Sequence, residues 1–478
     1  MSPVFDEAKY RALLEKQEIS EVNLNDLEFS WRIDAEYYQK HFLAFEKLLR
    51  AESWKYLSDL SSFLIGPFGS AFDTENYLEI GKYRYVRGQD VKPFILKDDD
   101  LRFIPEDDFI RLGKYALKEN DVLVSVVGTI GNACIVQPKD IPAIFSCKSS
   151  VVRIHQGHSP AYVLTYLNCS YGKSLLLRKE RGALQKGLNL DDLKSTIIPI
   201  FTDELEKHIE KIFWTAQKLL QKSKDVFTYA GQLLLQELGL TDWQPDDESV
   251  ATKTFADFQN SGRLDAEYYQ PKYDEYLAKV KSYSGGVSTL ANHFEQNKAT
   301  TTFSLPQYNY IEIGDINVGN GEANFNLVQT EELPANAKYV IQQGDILISK
   351  VRPYRGAVSI IDFEPQDVIA SGAFTILREN GAIRKEVLST LLRTPLYKDW
   401  LLKWNVGSSY PVIKDEDILN LTIPVIKQEI QDQIAEKVQE SFALRKESKR
   451  LLDLAKHAVE VAIEQGEDAA MNLMEENI

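Results

Sequence analysis

Four blocks recur in this chain in one order. Arg32-Ile33-Asp34-Ala35-Glu36-Tyr37-Tyr38-Gln39 returns as Arg263-Leu264-Asp265-Ala266-Glu267-Tyr268-Tyr269-Gln270. Asp121-Val122-Leu123-Val124-Ser125 returns as Asp345-Ile346-Leu347-Ile348-Ser349. Leu190-Asp191-Asp192-Leu193, then Ile198-Pro199, returns as Glu416-Asp417-Ile418-Leu419, then Ile423-Pro424. A long helical stretch follows each Ile-Pro. The offsets differ by only a few residues, so the chain is a tandem duplication of one unit. The period is too long for a solenoid, and each unit is a domain followed by a rod.

The rods set the expected architecture. From Asp203 to Gly239, apolar residues fall at Leu205, Ile209, Ile212, Ala216, Leu219, Val226, Leu233 and Leu234, mostly in helical steps of three and four. Asp203 and Glu204 load the first turn, where negative charge suits the helix dipole, and Gly239 supplies a stop. About 35 residues at 1.5 Å each make a rod of roughly 50 Å. Gln428 to Gly466 carries a matching stripe at Ile430, Ile434, Val438, Leu451, Leu454, Ala458, Val459 and Ile463. Both stripes are too narrow for full burial, and Lys and Glu are dense elsewhere, as in an exposed helix pair. The alternative is that each rod packs only on its own domain. The expected fold is α+β: two duplicated mixed α/β domains separated by a long antiparallel coiled-coil pair with pseudo-twofold symmetry. The expected spans are 1–200, a first domain with its lead-in; 201–242, the first rod; 243–427, a linker and the second domain; 428–466, the second rod; and 467–478, a tail.

Inside the units, Tyr83–Val86, Asp121–Val127, Ser149–Ile154, Ile311–Ile316, Asp345–Ser349 and Phe374–Leu377 read as strands. Gly128–Gly131 reads as a hairpin turn leading to Ala133–Val136. Pro160–Arg178 and Lys385–Trp404 read as helical, with Pro395 dividing the second.

The net charge of −16 counts against a protein coated in positive charge, yet residues 31–200 are close to balanced and the second unit only mildly acidic. The three cysteines have no metal-ligand spacing, which points to a reduced, cytoplasmic protein. No signal peptide and no apolar run long enough to span a membrane is visible. The six histidines form neither HxxxH nor HExxH, and neither GxGxxG nor GxxxxGK[ST] occurs. Tyr171-Gly172-Lys173-Ser174 lacks the first glycine of a phosphate loop, and Pro245-Asp246 lacks the rest of a nuclease motif. The sequence therefore offers no catalytic residue and no metal site.

Basic and aromatic clusters are the remaining chemistry. Arg84, Tyr85, Arg87 and Gln89 lie together in the first unit, as do Arg181, Gln185 and Lys186. Lys350, Arg352, Tyr354 and Arg355 surround a turn directly after a strand in the second. Arg, Lys and Gln can read purine edges, and the cations neutralise phosphates. Ser70, in the Gly66-Pro67-Phe68-Gly69-Ser70 turn, and Ser409 with Tyr410 complete the set of candidate DNA contacts. Leu205, Ile209, Ile212, Leu219, Val226, Ile430, Ile434, Val438, Leu451 and Val459 are the candidate coiled-coil and docking residues.

The order Arg-(Ile/Leu)-Asp-Ala-Glu-Tyr-Tyr, Gly-Pro-Phe-Gly-Ser, Asp-(Val/Ile)-Leu-(Val/Ile)-Ser, acidic step, Ile-Pro and long helix resembles the specificity subunit of type I restriction-modification systems. The resemblance covers nearly the whole chain. It implies two target recognition domains, each reading half of a split double-stranded DNA sequence, with the rods as a ruler. It implies two methylation subunits that use S-adenosylmethionine and restriction subunits that use ATP and magnesium, with no cofactor on this chain. An adaptor that joins proteins without reading DNA, and a specificity scaffold of another phage-defence system, are the alternatives.

Overall fold

The computed structural model describes residues 6–15, 17–24, 27, 32–67, 69–182, 186–246, 250–407 and 410–477. The chain divides into two compact units, Met1–Lys218 with Glu447–Ile478, and Leu219–Lys446. Both divisions fall inside the long helices, Asp203–Glu237 and Gln428–Gln465.

The first unit contains β1 (Trp54–Tyr56), β2 (Ser61–Ile65), β3 (Tyr83–Val86), β4 (Phe103–Ile104), β5 (Val122–Ser125), β6 (Ala133–Ile135), β7 (Ala143–Phe145), β8 (Ser149–Ile154) and β9 (Ile197–Pro199). They form an antiparallel sheet β2-β8-β5-β6, a sheet β4-β3-β7 with β3 and β7 parallel, and the pair β1-β9. Leu123, Cys134, Phe145 and Val151 fill the core between them.

The second unit contains β10 (Val287–Thr289), β11 (Phe294–Gln296), β12 (Gln307–Ile311), β13 (Asn326–Gln329), β14 (Ala337–Val340), β15 (Ile346–Ser349), β16 (Val358–Ile360), β17 (Val368–Ser371), β18 (Phe374–Glu379) and β19 (Thr422–Pro424). Its sheets β11-β18-β15-β16 and β13-β12-β17-β14 and its pair β10-β19 repeat the first unit's plan. The duplication read from the sequence is therefore a duplication of topology.

The recurring motifs have structural causes. Buried Asp121 accepts from Arg153 Nε at 2.7 Å, and Asp345 accepts from Arg378 Nε at 2.9 Å, so each strand is tied to its neighbour by a two-pronged ion pair. Ser125 Oγ donates to Thr129 O at 2.6 Å and Ser349 Oγ to Val351 O at 2.7 Å, pinning the turn after each strand. Asp192 and Asp417 cap equivalent short helices by accepting from the Asn189 and Lys414 backbone N–H groups. Asp192 thus matches Asp417, so the acidic step aligns one residue from the sequence pairing above.

The long helices pair antiparallel. In the second unit Ser223 Oγ donates to Ser441 O, and Ser441 Oγ donates to Ser223 O, both at 2.8 Å. In the first unit Ser448 Oγ donates to Ala216 O at 2.7 Å. Seven residues forward in one helix are seven back in the other. Under the repeat, Ser223 corresponds to Ser448 and Ser441 to Ala216, so one contact is made twice. Leu205, Ile209, Ile212, Ile434, Val438, Leu451 and Val459 are buried, and Leu219, Val226 and Ile430 half-buried. The second unit's core draws on both helices: Ala230 and Leu234 of the first and Ile434 and Val438 of the second pack with Tyr276 and Leu388. The rods therefore pair with each other and also pack on a domain, the first rod partly on the second domain and not only on its own. Gly239 and Gly466, at φ of 62° and 92°, follow their ends in the left-handed conformation that glycine adopts at no steric cost.

Several boundaries differ from the sequence reading. The expected strand Ile311–Ile316 is replaced by β12, which ends at Ile311; Asp315 then accepts from the Glu312 N–H and folds Ile313–Asp315 into a helical turn. Pro160–Arg178 is two helices, Pro160–Asn168 and Ser170–Leu177. Pro395 starts a new helix, as expected. Residues 467–478, expected as a tail, hold a helix, Glu467–Asn477, that buries Ala470 and Met474. Among the described residues, no helix is long and apolar enough to cross a membrane.

Candidate nucleic-acid interface

Each unit joins two loops into one exposed surface. The first is the turn after the Asp-x-x-x-Ser strand: 126–132 between β5 and β6, and 350–357 between β15 and β16. The second is a narrow loop that leads to the acidic step. In the first unit Arg181 and Gly187 exchange backbone hydrogen bonds of 3.0 and 2.9 Å, and Leu188 N–H donates to Val126 O at 2.9 Å. In the second, Val406 and Val412 exchange bonds of 2.9 and 3.2 Å, and Ile413 N–H donates to Lys350 O at 3.0 Å. The same loop thus clamps the same turn in both units.

Arg352 is the most constrained residue of the second surface. It adopts φ 50° and ψ 54°, left-handed values that cost an arginine about 1 kcal/mol or more. The equivalent turn position in the first unit is Gly128, at φ 90°. Arg352 N–H donates to Pro411 O at 2.7 Å, and its guanidinium lies 4.4 Å from the centre of the Tyr410 ring, itself 64% exposed. Among the described residues no carboxylate takes that guanidinium. A planar cation laid on an exposed ring keeps its edge donors available for two-pronged bonds. Tyr354 and Arg355 stand exposed on the same turn.

Four sequence candidates, Arg84, Tyr85, Arg87 and Lys350, are spent inside the fold, which corrects their reading as DNA contacts. Arg84 is buried, with Nη1 2.9 Å from Asp140 Oδ1 and Nη2 on the Lys97 carbonyl. Tyr85 is buried, stacked on Phe72 with ring centres 5.2 Å apart, and burial pushes its phenol up. Arg87 closes a turn on Asp90 at 2.9 Å and reaches the Asp100 carbonyl at 2.6 Å. Lys350 pairs with Asp415 at 3.2 Å and is mostly buried. Arg181 is exposed but holds Asp192 at 2.9 Å, and Lys186 holds Glu180 at 3.0 Å. Ser70 and Gln89 are exposed. Gln185, Ser409 and Phe68 lie outside the described residues.

Sequence reading missed part of the first unit's surface. Thr129 is exposed at its turn, and exposed Lys148 accepts through its carbonyl from the Val126 N–H at 2.9 Å. The Gly66 and Gly88 backbones press against the Ser146–Lys148 turn: a Cβ at Gly66 would lie 2.4 Å from Ser146 O, and one at Gly88 2.7 Å from Lys148 Cβ. Gly66 and the Gly88 that precedes Gln89 therefore both abut the Ser146–Lys148 turn. Carrying the repeat past Ser125 and Ser349 would have identified the turn.

A cleft of about 560 Å³ in the first unit is lined by Glu46, Arg178, Lys179, Arg181, Asp192 and neighbours. Arg178 is bound to Glu46 and the Tyr37 carbonyl, and Lys179 donates to the Asp192 carbonyl at 3.0 Å. These contacts knit the fold. Among the described residues no group of three or more His, Cys, Asp or Glu could hold a metal ion.

Residues 285–452, spanning β10 to β19 and much of the second long helix, match the type I restriction modification DNA specificity domain. That match covers about a third of the chain, so the second unit is similar to a type I restriction modification DNA specificity domain. The specificity subunit of the type I restriction enzyme HindI from Haemophilus influenzae is 26% identical over 164 residues, 33% of this chain and 34% of that protein. The match thus spans about a third of that relative. Among solved specificity subunits, the one from M. genitalium aligns at 14% identity and a TM-score of 0.37, covering 88% of this chain and 95% of its own. The HsdS subunit from Thermoanaerobacter tengcongensis aligns at 15% identity and a TM-score of 0.28, covering 87% and 97%.

Proposed function

We propose that this chain reads a two-part DNA sequence and carries no chemistry of its own. Each unit sets its paired loops into a major groove, where phosphate contacts fix the register and side chains on the turn read base edges. The long helices act as the ruler between the half-sites. A rod of roughly 50 Å matches about 15 base pairs at 3.4 Å each. Two methylation subunits bring S-adenosylmethionine, restriction subunits bring ATP and magnesium, and the complex works in the cytoplasm. The observation that carries this reading is the same turn-and-loop surface built twice, with the Arg352 guanidinium laid over Tyr410 in one of them.

A gel shift of the assembled complex over a salt series tests it. Binding should weaken steeply with salt, and Arg355→Ala should weaken it on all sequences while reducing the slope of log K against log salt by about 1. Absence of any shift at low salt would favour a protein adaptor.

A further inference from the structure

Each turn after an Asp-x-x-x-Ser strand rests against a lysine that the fold leaves without a counter-charge. Lys173 lies on the helix Ser170–Leu177 and Lys398 on the helix Pro395–Trp400. They are repeat equivalents, at the same spacing as Asp192 and Asp417. Lys173 Nζ donates to Asn132 Oδ1 at 3.2 Å, on the last residue of the 126–132 turn. Gly356 holds the equivalent position in the second unit's turn. A Cβ there would lie 2.8 Å from Lys398 Cδ, so the lysine stem runs across bare backbone. Both side chains are half-buried. One contact between lysine and turn is thus built twice.

A half-buried ammonium with no counter-charge is costly. The carboxylates around these helices are committed elsewhere. Glu460 accepts from the Ser170 N–H at 2.7 Å, and Glu464 from the Tyr171 hydroxyl at 2.6 Å. Asp399, next to Lys398, accepts from the Tyr276 hydroxyl at 2.8 Å and pairs with Lys272 at 2.7 Å. Among the described residues, the charges that act on the two lysines are cations. Lys173 feels Lys456, which is bound to Asp453 at 2.7 Å. Lys398 feels Arg393, which donates to the Val358 and Val318 carbonyls at 3.1 and 2.8 Å. Burial, and then that repulsion, lowers both amines from the ordinary lysine value.

What the two units share selects the anion. The turns themselves differ, with Gly128 and Thr129 in the first where the second has Arg352 and Pro353. Side chains that differ can read different bases. A lysine that is the same in both must meet what two unlike half-sites have in common, and that is the phosphate backbone. A compact ammonium suits a phosphate oxygen as a point charge. We infer that Lys173 and Lys398 are twin phosphate anchors, one per unit, each fixing its turn over a DNA strand while the turn chooses the base. This deepens the function proposed above and rests on it.

The test measures binding of the assembled complex over a salt series, to a duplex carrying the methylated motif and to an unrelated duplex. Lys173→Met and Lys398→Met keep the stem and remove the charge. Each should reduce the slope of log K against log salt by about 1 and weaken binding to both duplexes about 5-fold at about 0.15 M salt. Lys173→Arg and Lys398→Arg should keep the native slope. The methionine variants should unfold at the native temperature, since neither charge is paired inside the fold, and should methylate the native motif. On the native protein, an amine-acylating reagent should label both lysines less when either duplex is bound at low salt. An unchanged slope in the double methionine variant, or a loss confined to one base pair of the motif, would overturn the assignment. Failure of the native complex to bind either duplex would overturn the functional reading, and the anchors with it.

Discussion

Arg352→Gly is expected to remove recognition of one base pair and leave the fold intact. The residue sits at φ 50°, where the equivalent turn of the first unit has Gly128. Glycine relieves strain of about 1 kcal/mol. It also loses the contact with Tyr410 and frees the unfolded chain by a similar amount. Net stability should stay within about 1 kcal/mol of the native protein. Binding should behave differently. Arginine is the residue that takes guanine O6 and N7 together, a contact worth about 1–3 kcal/mol of discrimination. Specific affinity should fall about 10- to 100-fold, and discrimination should disappear at one guanine-containing base pair of one half-site. Thermal unfolding and a binding matrix of single-base substitutions check both halves of the prediction. Equal losses of stability and binding would mean that Arg352 serves the fold.

Glu206→Gln should stabilise the protein increasingly as pH rises from about 5 to neutrality. Glu206 is buried near the start of the first long helix, and burial, with the charges of Asp203, Glu210 and Glu467, raises its carboxyl from an ordinary value near 4.5 to about 7. The Ser159 backbone N–H bonds to it and offsets only part of that rise. The second unit solves the same site with a neutral residue. Gln431, its repeat equivalent, accepts from the Arg384 N–H at 2.9 Å and donates to Ala382 O and Ile426 O at 3.0 and 2.9 Å. Because the folded value lies above the unfolded one, the folded chain binds more protons between them. Stability therefore falls as pH rises from about 4.5 to 7 and then levels off. Glutamine removes that loss. Urea unfolding should show little gain at pH 5, growing to at most about 3 kcal/mol above pH 8. An equal gain at both pH values would contradict a protonated Glu206.

The fold was legible where sequence and structure share a period. The duplication, the rods and the Asp-x-x-x-Ser strands were readable because each recurs at nearly fixed spacing and each carries a helical or strand pattern. The short helix at Glu467–Asn477 was not, since eleven residues with two buried positions make little pattern. The site was legible by position and only partly by residue. Arg352 stood out because it follows a strand. Arg84 looked the same, yet Asp140, 56 residues away, takes its charge inside the fold. Residue type reports what a side chain can bind; only the fold reports what already binds it. The Lys148 surface was hidden for the opposite reason, since the Gly66, Gly88 and Thr129 turns that meet it are far apart in the chain.

The most direct test of two independent readers exchanges one of them. In a host carrying the complete operon, the 351–356 turn and 406–412 loop of the second unit would be replaced by the 127–131 turn and 181–187 loop of the first, and methylated adenines mapped across the genome. The account predicts a two-part motif in which one half changes while the other half and the spacer between them stay as in the native protein. A change in both halves or in the spacer, or an unaltered motif, would contradict it.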